Sequence, residues 1–152
     1  MFKKITLVSL ATVLFVGCAS VPMASKESSD RAKLFGPPSQ GQAGLYIYRG
    51  GGPGTALKED IWVDGKCIGE SAPNVFFYEE VAGNQEHTVS TESEFSPNAL
   101  KIATASDINY FIRQYIKLGV FVGGANLEVV DEVDGEKAVQ RLEMATKGTC
   151  SQ

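Results

Sequence analysis

An antiparallel β-sandwich of seven or eight strands with a short C-terminal helix is the fold class this sequence predicts, on three observations. From residue 44 onward, runs rich in Val, Ile, Phe and Tyr alternate with Gly, Pro and Asn punctuation, the pattern of strands and turns. Asp64-Gly65 sits between two such runs and is a strong hairpin signal, because both turn positions must accept positive φ. Beyond Gly135 the apolar spacing changes to a helical period. With 43% hydrophobic residues the chain can fill a core, and its 152 residues suit one domain plus an N-terminal extension.

The extension reads as an address. Met1-Phe2-Lys3-Lys4 is a basic start and residues 5–16 are an apolar run, too short for a spanning helix of about 20 residues. Residues 1–17 therefore read as a signal peptide. The run ends in Leu14-Phe15-Val16-Gly17-Cys18-Ala19-Ser20, which resembles a bacterial lipobox, although Phe15 stands where Leu is usual. That resemblance implies acylation of Cys18 with more than one chain, and stable anchoring does need more than one. Ordinary cleavage after Ala19, giving a soluble product, is the competing reading. Ala19 and Ser20 are not the aspartate that retains enteric lipoproteins in the inner membrane. By that analogy the expected place is the outer membrane, facing the periplasm. Residues 18–43 hold Ser, Lys, Glu, Pro, Gly and Gln without an apolar period. They read as a flexible tether giving tens of ångströms of clearance, with a short helical turn allowed near residues 28–34.

Residues 44–152 are the predicted domain. Leu45-Tyr46-Ile47-Tyr48-Arg49 is a strand, and residues 50–54 are a glycine loop. A phosphate cradle would need Gly-Lys-Ser/Thr opening a helix, whereas Thr55-Ala56-Leu57-Lys58 leads into a strand. Residues 60–69 form the Asp64-Gly65 hairpin; residues 75–81, 87–92 and 100–104 follow as strands, between turns at Pro73-Asn74, Gly83-Asn84 and Ser96-Pro97-Asn98. In the long strand 110–117, Phe111, Arg113, Tyr115 and Lys117 share one face; Tyr110, Ile112 and Ile116 form the other, taken as core. Residues 126–131 are the last strand. After an Asp134-Gly135 turn, residues 136–147 place Ala138, Val139, Leu142 and Ala145 on one helical face, with a strand at 142–145 as the alternative.

Val63-Asp64-Gly65-Lys66, Ile68-Gly69, Pro73, Gly83 and His87-Thr88-Val89 together are similar to the PEGA-type repeat, a small β-sandwich module of bacterial envelope proteins. Residues 44–150 as a whole resemble a family of uncharacterised bacterial lipoproteins carrying a domain of unknown function. These motifs specify turns and core positions, so the resemblance implies a fold and an envelope setting, and no catalytic residues.

The chemistry-bearing residues are few. With Cys18 assigned to lipid, Cys67 and Cys150 remain as a disulfide pair in an oxidising compartment, closing a loop of roughly 80 residues; two free thiols are the alternative. His87 is the only histidine, so no histidine-based catalytic or metal cluster can be assembled around it. The acidic run 131–136 fits an EF-hand loop poorly and reads as a solvated turn. Glu79 and Glu80 are adjacent in a strand and point to opposite faces, so they do not converge. No nucleophile elbow is present. No metal or cofactor is expected. A net charge of −4 argues against nucleic acid, whose affinity rests on phosphate neutralisation. Val120, Phe121 and Val122, in a glycine-bounded apolar stretch, are the candidate partner contact if they lie in a loop, and core if the strands continue through them. The expected function is a non-catalytic, lipid-anchored envelope module binding a protein or glycan through residues 120–125 or 50–54, or serving structurally. A small envelope hydrolase using carboxylates is the alternative.

Overall fold

The computed structural model describes residues 19–93, 98–117 and 124–151. In chain order they form α1 (Lys26–Ala32), β1 (Gln42–Arg49), β2 (Glu59–Val63), β3 (Lys66–Ser71), β4 (Val75–Ala82), β5 (Glu86–Thr91), β6 (Asn98–Ala103), β7 (Asn109–Lys117), β8 (Gly124–Val130), α2 (Glu132–Val139) and β9 (Glu143–Met144). The strands make two sheets, ordered β8-β7-β1-β4-β9 and β3-β2-β5-β6. The protein is a mainly β two-sheet sandwich with a short helix near its C-terminus. Two pairings are parallel: β1 with β7, and the two-residue β9 with β4. Between β1 and β7 the chain visits the other sheet twice, through β2–β3 and β5–β6, which supplies the long crossover a parallel pair requires.

Alternation along β1 divides the apolar residues between two cores. Leu45 and Ile47 face the second sheet, against Ile61, Val63, Ile68, Phe77, Val89, Ile112 and Leu127. Tyr46 and Tyr48 face outward, with Phe76, Phe111, Val139 and Leu142. Tyr46 stacks on Phe111 at 5.0 Å between centroids, and Phe35 meets both rings edge-on at 5.4 and 5.8 Å. The five-stranded sheet is thus covered on both faces. On β7 the expected core face is fully buried at Ile112 and half-buried at Tyr110 and Ile116. Phe111, on the other face, is buried as well, because α2 lies over it.

The structure corrects the reading of the acidic run. Residues 131–136 are the start of α2, not a solvated turn. Asp131 is the N-cap, its side chain accepting from Asp134 N at 3.1 Å, and Glu132 and Asp134 sit in the first turn, where the helix dipole favours negative charge. The helix stops at Val139, and the short strand allowed near residues 142–145 forms as β9.

The stretch expected as a flexible tether is also different, from Ala19 onward. Ala24 N donates to Met144 O and Thr146 N to Pro22 O, both at 2.9 Å, around a Met23–Ala145 bridge. Ser25 caps α1, Ser29 Oγ donates to Glu143 Oε2 at 2.9 Å, Lys33 Nζ to Leu142 O at 2.9 Å, and Tyr46 OH to Ala32 O at 2.8 Å. This arm is held largely by hydrogen bonds, which leave no hydrophobic period in the sequence.

Asp64 and Gly65 both adopt positive φ, 50° and 76°, as the hairpin requires. The Cys67 and Cys150 sulfurs lie at disulfide distance, 2.03 Å, joining residues 83 apart. The C-terminal tail is further secured by Gly148 N donating to Ile68 O at 2.9 Å and Ser151 N to Asp60 Oδ2 at 2.8 Å.

Two stability outcomes follow from this packing. Cys150→Ser should cost about 2–4 kcal/mol in non-reducing chemical denaturation. Gly135→Ala would gain about 1 kcal/mol of helix propensity in an open helix. Here the added Cβ would lie 2.3 Å from Phe111 Cγ and 2.4 Å from Phe111 Cβ. Overpacking of about 1–3 kcal/mol should win, giving a net loss in the same measurement.

Candidate functional site

Among the described residues, a concave surface lies where α2 stands off the outer face of the five-stranded sheet. Tyr48 on β1 is register neighbour to Arg113 on β7, and Arg113 faces Glu128 on β8. All three occupy outward positions of their strands. Arg113 Nε donates to Glu128 Oε1 at 2.6 Å, and its guanidinium carbon lies 5.4 Å from the centroid of the Tyr115 ring. From the helix side come Asp134, Lys137 and Arg141, and the groove between has a volume of about 480 Å³. A second hollow of about 260 Å³ continues past Tyr48 and Arg141 to Gly51 and Asn74.

Electrostatically the groove is mixed. Arg113 and Glu128 neutralise one another, whereas Asp134, Lys137 and Arg141 make no ion pair among the described residues. Tyr48 is nearly buried, and its hydroxyl makes no hydrogen bond among the described residues. Burial holds the Tyr48 phenol above its ordinary pKa; Arg113 opposes the shift and Glu128 and Asp134 add to it. The phenol is a neutral donor at any physiological pH. The floor is rigid, because Phe111 and Val139 pack beneath it. Such a surface can hold a ligand bearing groups of both signs.

The glycine loop beside the groove is supported from within. Arg49, almost wholly buried, donates from Nη1 to Leu57 O at 2.9 Å and from Nη2 to Gly54 O at 2.6 Å. Next to it Glu59 and Glu92 converge, unlike Glu79 and Glu80. Burial, then the charge of Glu92 and a hydrogen bond with it, push the Glu59 carboxyl up to about 7. Two carboxyl groups sharing a proton are an acid–base pattern. Here Glu59 is only 5% exposed and Glu92 Oε2 accepts from Asp60 N at 3.0 Å, so the pair is committed to bracing β2. Glu79 and Glu80 diverge as strand alternation requires. Glu79 meets Lys147 and Lys66, while Glu80 accepts from Ser39 N and the Tyr78 hydroxyl.

His87 occupies a structural position. Its Nδ1 lies 2.6 Å from Asp64 Oδ2 and its Nε2 2.7 Å from Ala82 O. Both neighbours are acceptors, which favours the doubly protonated, charged ring. Burial works against that charge; the hydrogen bonds to Asp64 and Ala82 outweigh it and raise the pKa. Asp64 also accepts from Thr88 N at 2.8 Å, locking the hairpin turn onto β5.

The residues singled out in the sequence are distributed as follows. Cys18, and Val120, Phe121 and Val122, lie outside the described residues. Cys67 and Cys150 come together, but on the hairpin and tail, away from the groove. Gly50 lines the groove. Tyr48, Glu128, Lys137 and Arg141 carried no sequence signal as a set; only strand register and the placement of α2 bring them together.

The pH dependence of stability follows from these pairs. Glu59 has a folded pKa raised from 4.5 to about 7, so its contribution is present below pH 4.5 and lost as pH rises through 7. His87, raised above 6.5, contributes below 6.5 and loses that contribution as pH rises through its folded value. Stability should fall from pH 5 to pH 8. Glu59→Gln should flatten the fall up to pH 7, and Asp64→Asn should remove most of the fall above 6.5, read as denaturation midpoints across pH. A midpoint rising with pH in the unmodified protein would contradict both assignments.

Comparison with known proteins places this geometry in context. The family described as "Protein of unknown function (DUF2846)" matches residues 39–125, more than half of the chain. An "Uncharacterized protein" of Haemophilus influenzae is 54% identical over 145 residues, covering 95% of this chain and 85% of the relative. No solved structure matches.

Proposed function

Taking as premise that the chain belongs to the DUF2846 family of proteins of unknown function, we propose that it is a non-catalytic, lipid-anchored module of the bacterial cell envelope that binds a protein partner through the α2 groove. The observation that carries the binding half is the rigid groove with Asp134, Lys137 and Arg141 uncommitted beside the Tyr48 hydroxyl. Charges of both signs suit a polypeptide segment better than a neutral sugar, and they exclude the uniformly basic surface that phosphate-backbone binding needs. The anchoring half is supported by the lipobox-like Gly17-Cys18-Ala19-Ser20 and its preceding apolar run. Among the described residues no helix is long and apolar enough to cross a membrane. Outer-membrane attachment facing the periplasm is part of the proposal, by analogy from Ala19 and Ser20. Val120, Phe121 and Val122 remain a proposed accessory contact on their sequence alone.

The rival reading, a hydrolase using carboxylates, has the Glu59–Glu92 pair in its favour. Its burial and its internal hydrogen bonds favour a structural role instead.

Two measurements test the proposal. Cys18→Ser should move the protein from the membrane to the soluble fraction of cells; unchanged partitioning would remove the lipid anchor. A photocrosslinking residue at position 137 or 141 should give a discrete protein adduct in intact cells, whereas one at position 101, on the outer edge of the second sheet, should not. Arg141→Glu should reduce the position 137 adduct at least about tenfold, the loss of one good charged contact. Equal adducts from both faces, or none from the groove, would overturn the binding half.

A further inference from the structure

The N-terminal arm is packed on the sandwich from Ala19 onward. Ala19 N donates to Thr55 O at 2.9 Å, and the Ala24–Met144 and Thr146–Pro22 hydrogen bonds hold the next residues. The described chain therefore begins beside Thr55, at one particular end of the domain, and a chain anchored just before Ala19 would be held at that end. An unpacked tether of the same length would instead let the domain range over about 25–30 Å.

That end has a distinct composition. It holds the β1–β2 connection, in which residues 50–57 are Gly-Gly-Gly-Pro-Gly-Thr-Ala-Leu, eight residues without a charge. Gly51, Gly52, Pro53, Thr55 and Ala56 are exposed there. The uncharged β3–β4 connection Ala72-Pro73-Asn74 opens on the same end, because Val75 is the register partner of Arg49. So do the ends of β7 and β8: a Cβ on Gly54 would lie 2.9 Å from Ile116, and Lys117 pairs with Gly124; Lys117 and, just before β2, Lys58 are exposed cations flanking the uncharged loop. The opposite end carries charges of both signs: Asp64 in the hairpin beside Lys66 and paired with His87, Glu86 paired with Lys101, and Asp107. Bringing that end to a bilayer would desolvate these ions, whereas an uncharged loop approaches headgroups without that cost.

We propose that the end of the sandwich formed by Gly51, Gly52, Pro53, Thr55 and Ala56 lies directly on the bilayer, with the packed arm as a short rigid strut that fixes the domain's orientation. The partner is the lipid surface itself. The α2 groove then runs along the flank of the domain, with its Gly50–Gly51 and Asn74 end nearest the membrane. This inference rests on acylation of Cys18, and the experiment separates the two.

The full acylated chain, reconstituted in phosphatidylethanolamine–phosphatidylglycerol vesicles, would carry an environment-sensitive fluorescent amino acid at position 55 or, at the far end, position 85. Strands of eight residues separate the two positions by about 26 Å. A spin-labelled phospholipid should quench position 55 several-fold more than position 85. Ten Gly/Ser residues inserted after Ser20 should leave vesicle binding intact and reduce the position 55 quenching to the position 85 level. Equal quenching at both positions in a chain that floats with the vesicles would overturn the orientation and leave the anchor standing. Quenching that survives the insertion would overturn the strut as its cause. Failure of the unmodified chain to float would sink the anchor and the orientation together.

Discussion

Burial of β1 on both of its faces is the constraint from which most of this structure follows. Leu45 and Ile47 point into the space between the sheets, while Tyr46 and Tyr48 point the other way into a second apolar layer. A large side chain removed from water contributes about 1.5–3 kcal/mol. Tyr46, Phe76 and Phe111 together are therefore worth an amount comparable with the whole net stability of a domain, about 5–15 kcal/mol. Without α1, α2 and Phe35 over them, that contribution would be lost and an aromatic sheet face would be exposed. The helical layer is part of the fold rather than a decoration on a two-layer sandwich.

The same requirement shapes the groove. A helix must approach the sheet closely to cover Phe111, and Gly135 permits it, since any larger residue would meet that ring. Farther along, Asp134, Lys137 and Arg141 project over the polar outward positions of β7 and β8 instead of an apolar surface. Covering ends where the sheet turns from Phe111 to Arg113 and from Val130 to Glu128. The groove is the boundary between those two regimes. Its floor is as rigid as the core, and its walls carry charges available for a partner.

Buried polar groups elsewhere brace the connections. Arg49 holds the glycine loop by its carbonyls, Glu92 accepts from Asp60 N at the start of β2, and Asp64 with His87 clamps the hairpin to its neighbour. Each is a satisfied pair or network, which is the condition under which buried ionisable groups are tolerated. Their titrations bear on stability and carry no evidence of turnover. At the groove, Asp134, Lys137 and Arg141 make no ion pair among the described residues and stand over a concave surface, which makes it the better functional candidate.

Local chemistry alone determined the strands, the Asp64-Gly65 hairpin and the cysteine pair, because alternation, turn propensity and residue count are written in consecutive or countable residues. It also placed Ile112 in the core and sent Glu79 and Glu80 to opposite faces, since a period of two needs no partner to be read. The sequence misjudged residues 19–43 and 131–136, for one shared reason: their stabilisation comes from caps and hydrogen bonds to distant residues, such as Ser29 to Glu143 and Asp131 to its own first turn. Strand order was decided only in three dimensions, including the parallel pairing of β1 with β7. So were the covering of Phe111 and the meeting of Tyr48, Arg113 and Arg141. These depend on which surfaces a folded chain must hide together, and a linear string of residues does not contain that information until the sheets have closed.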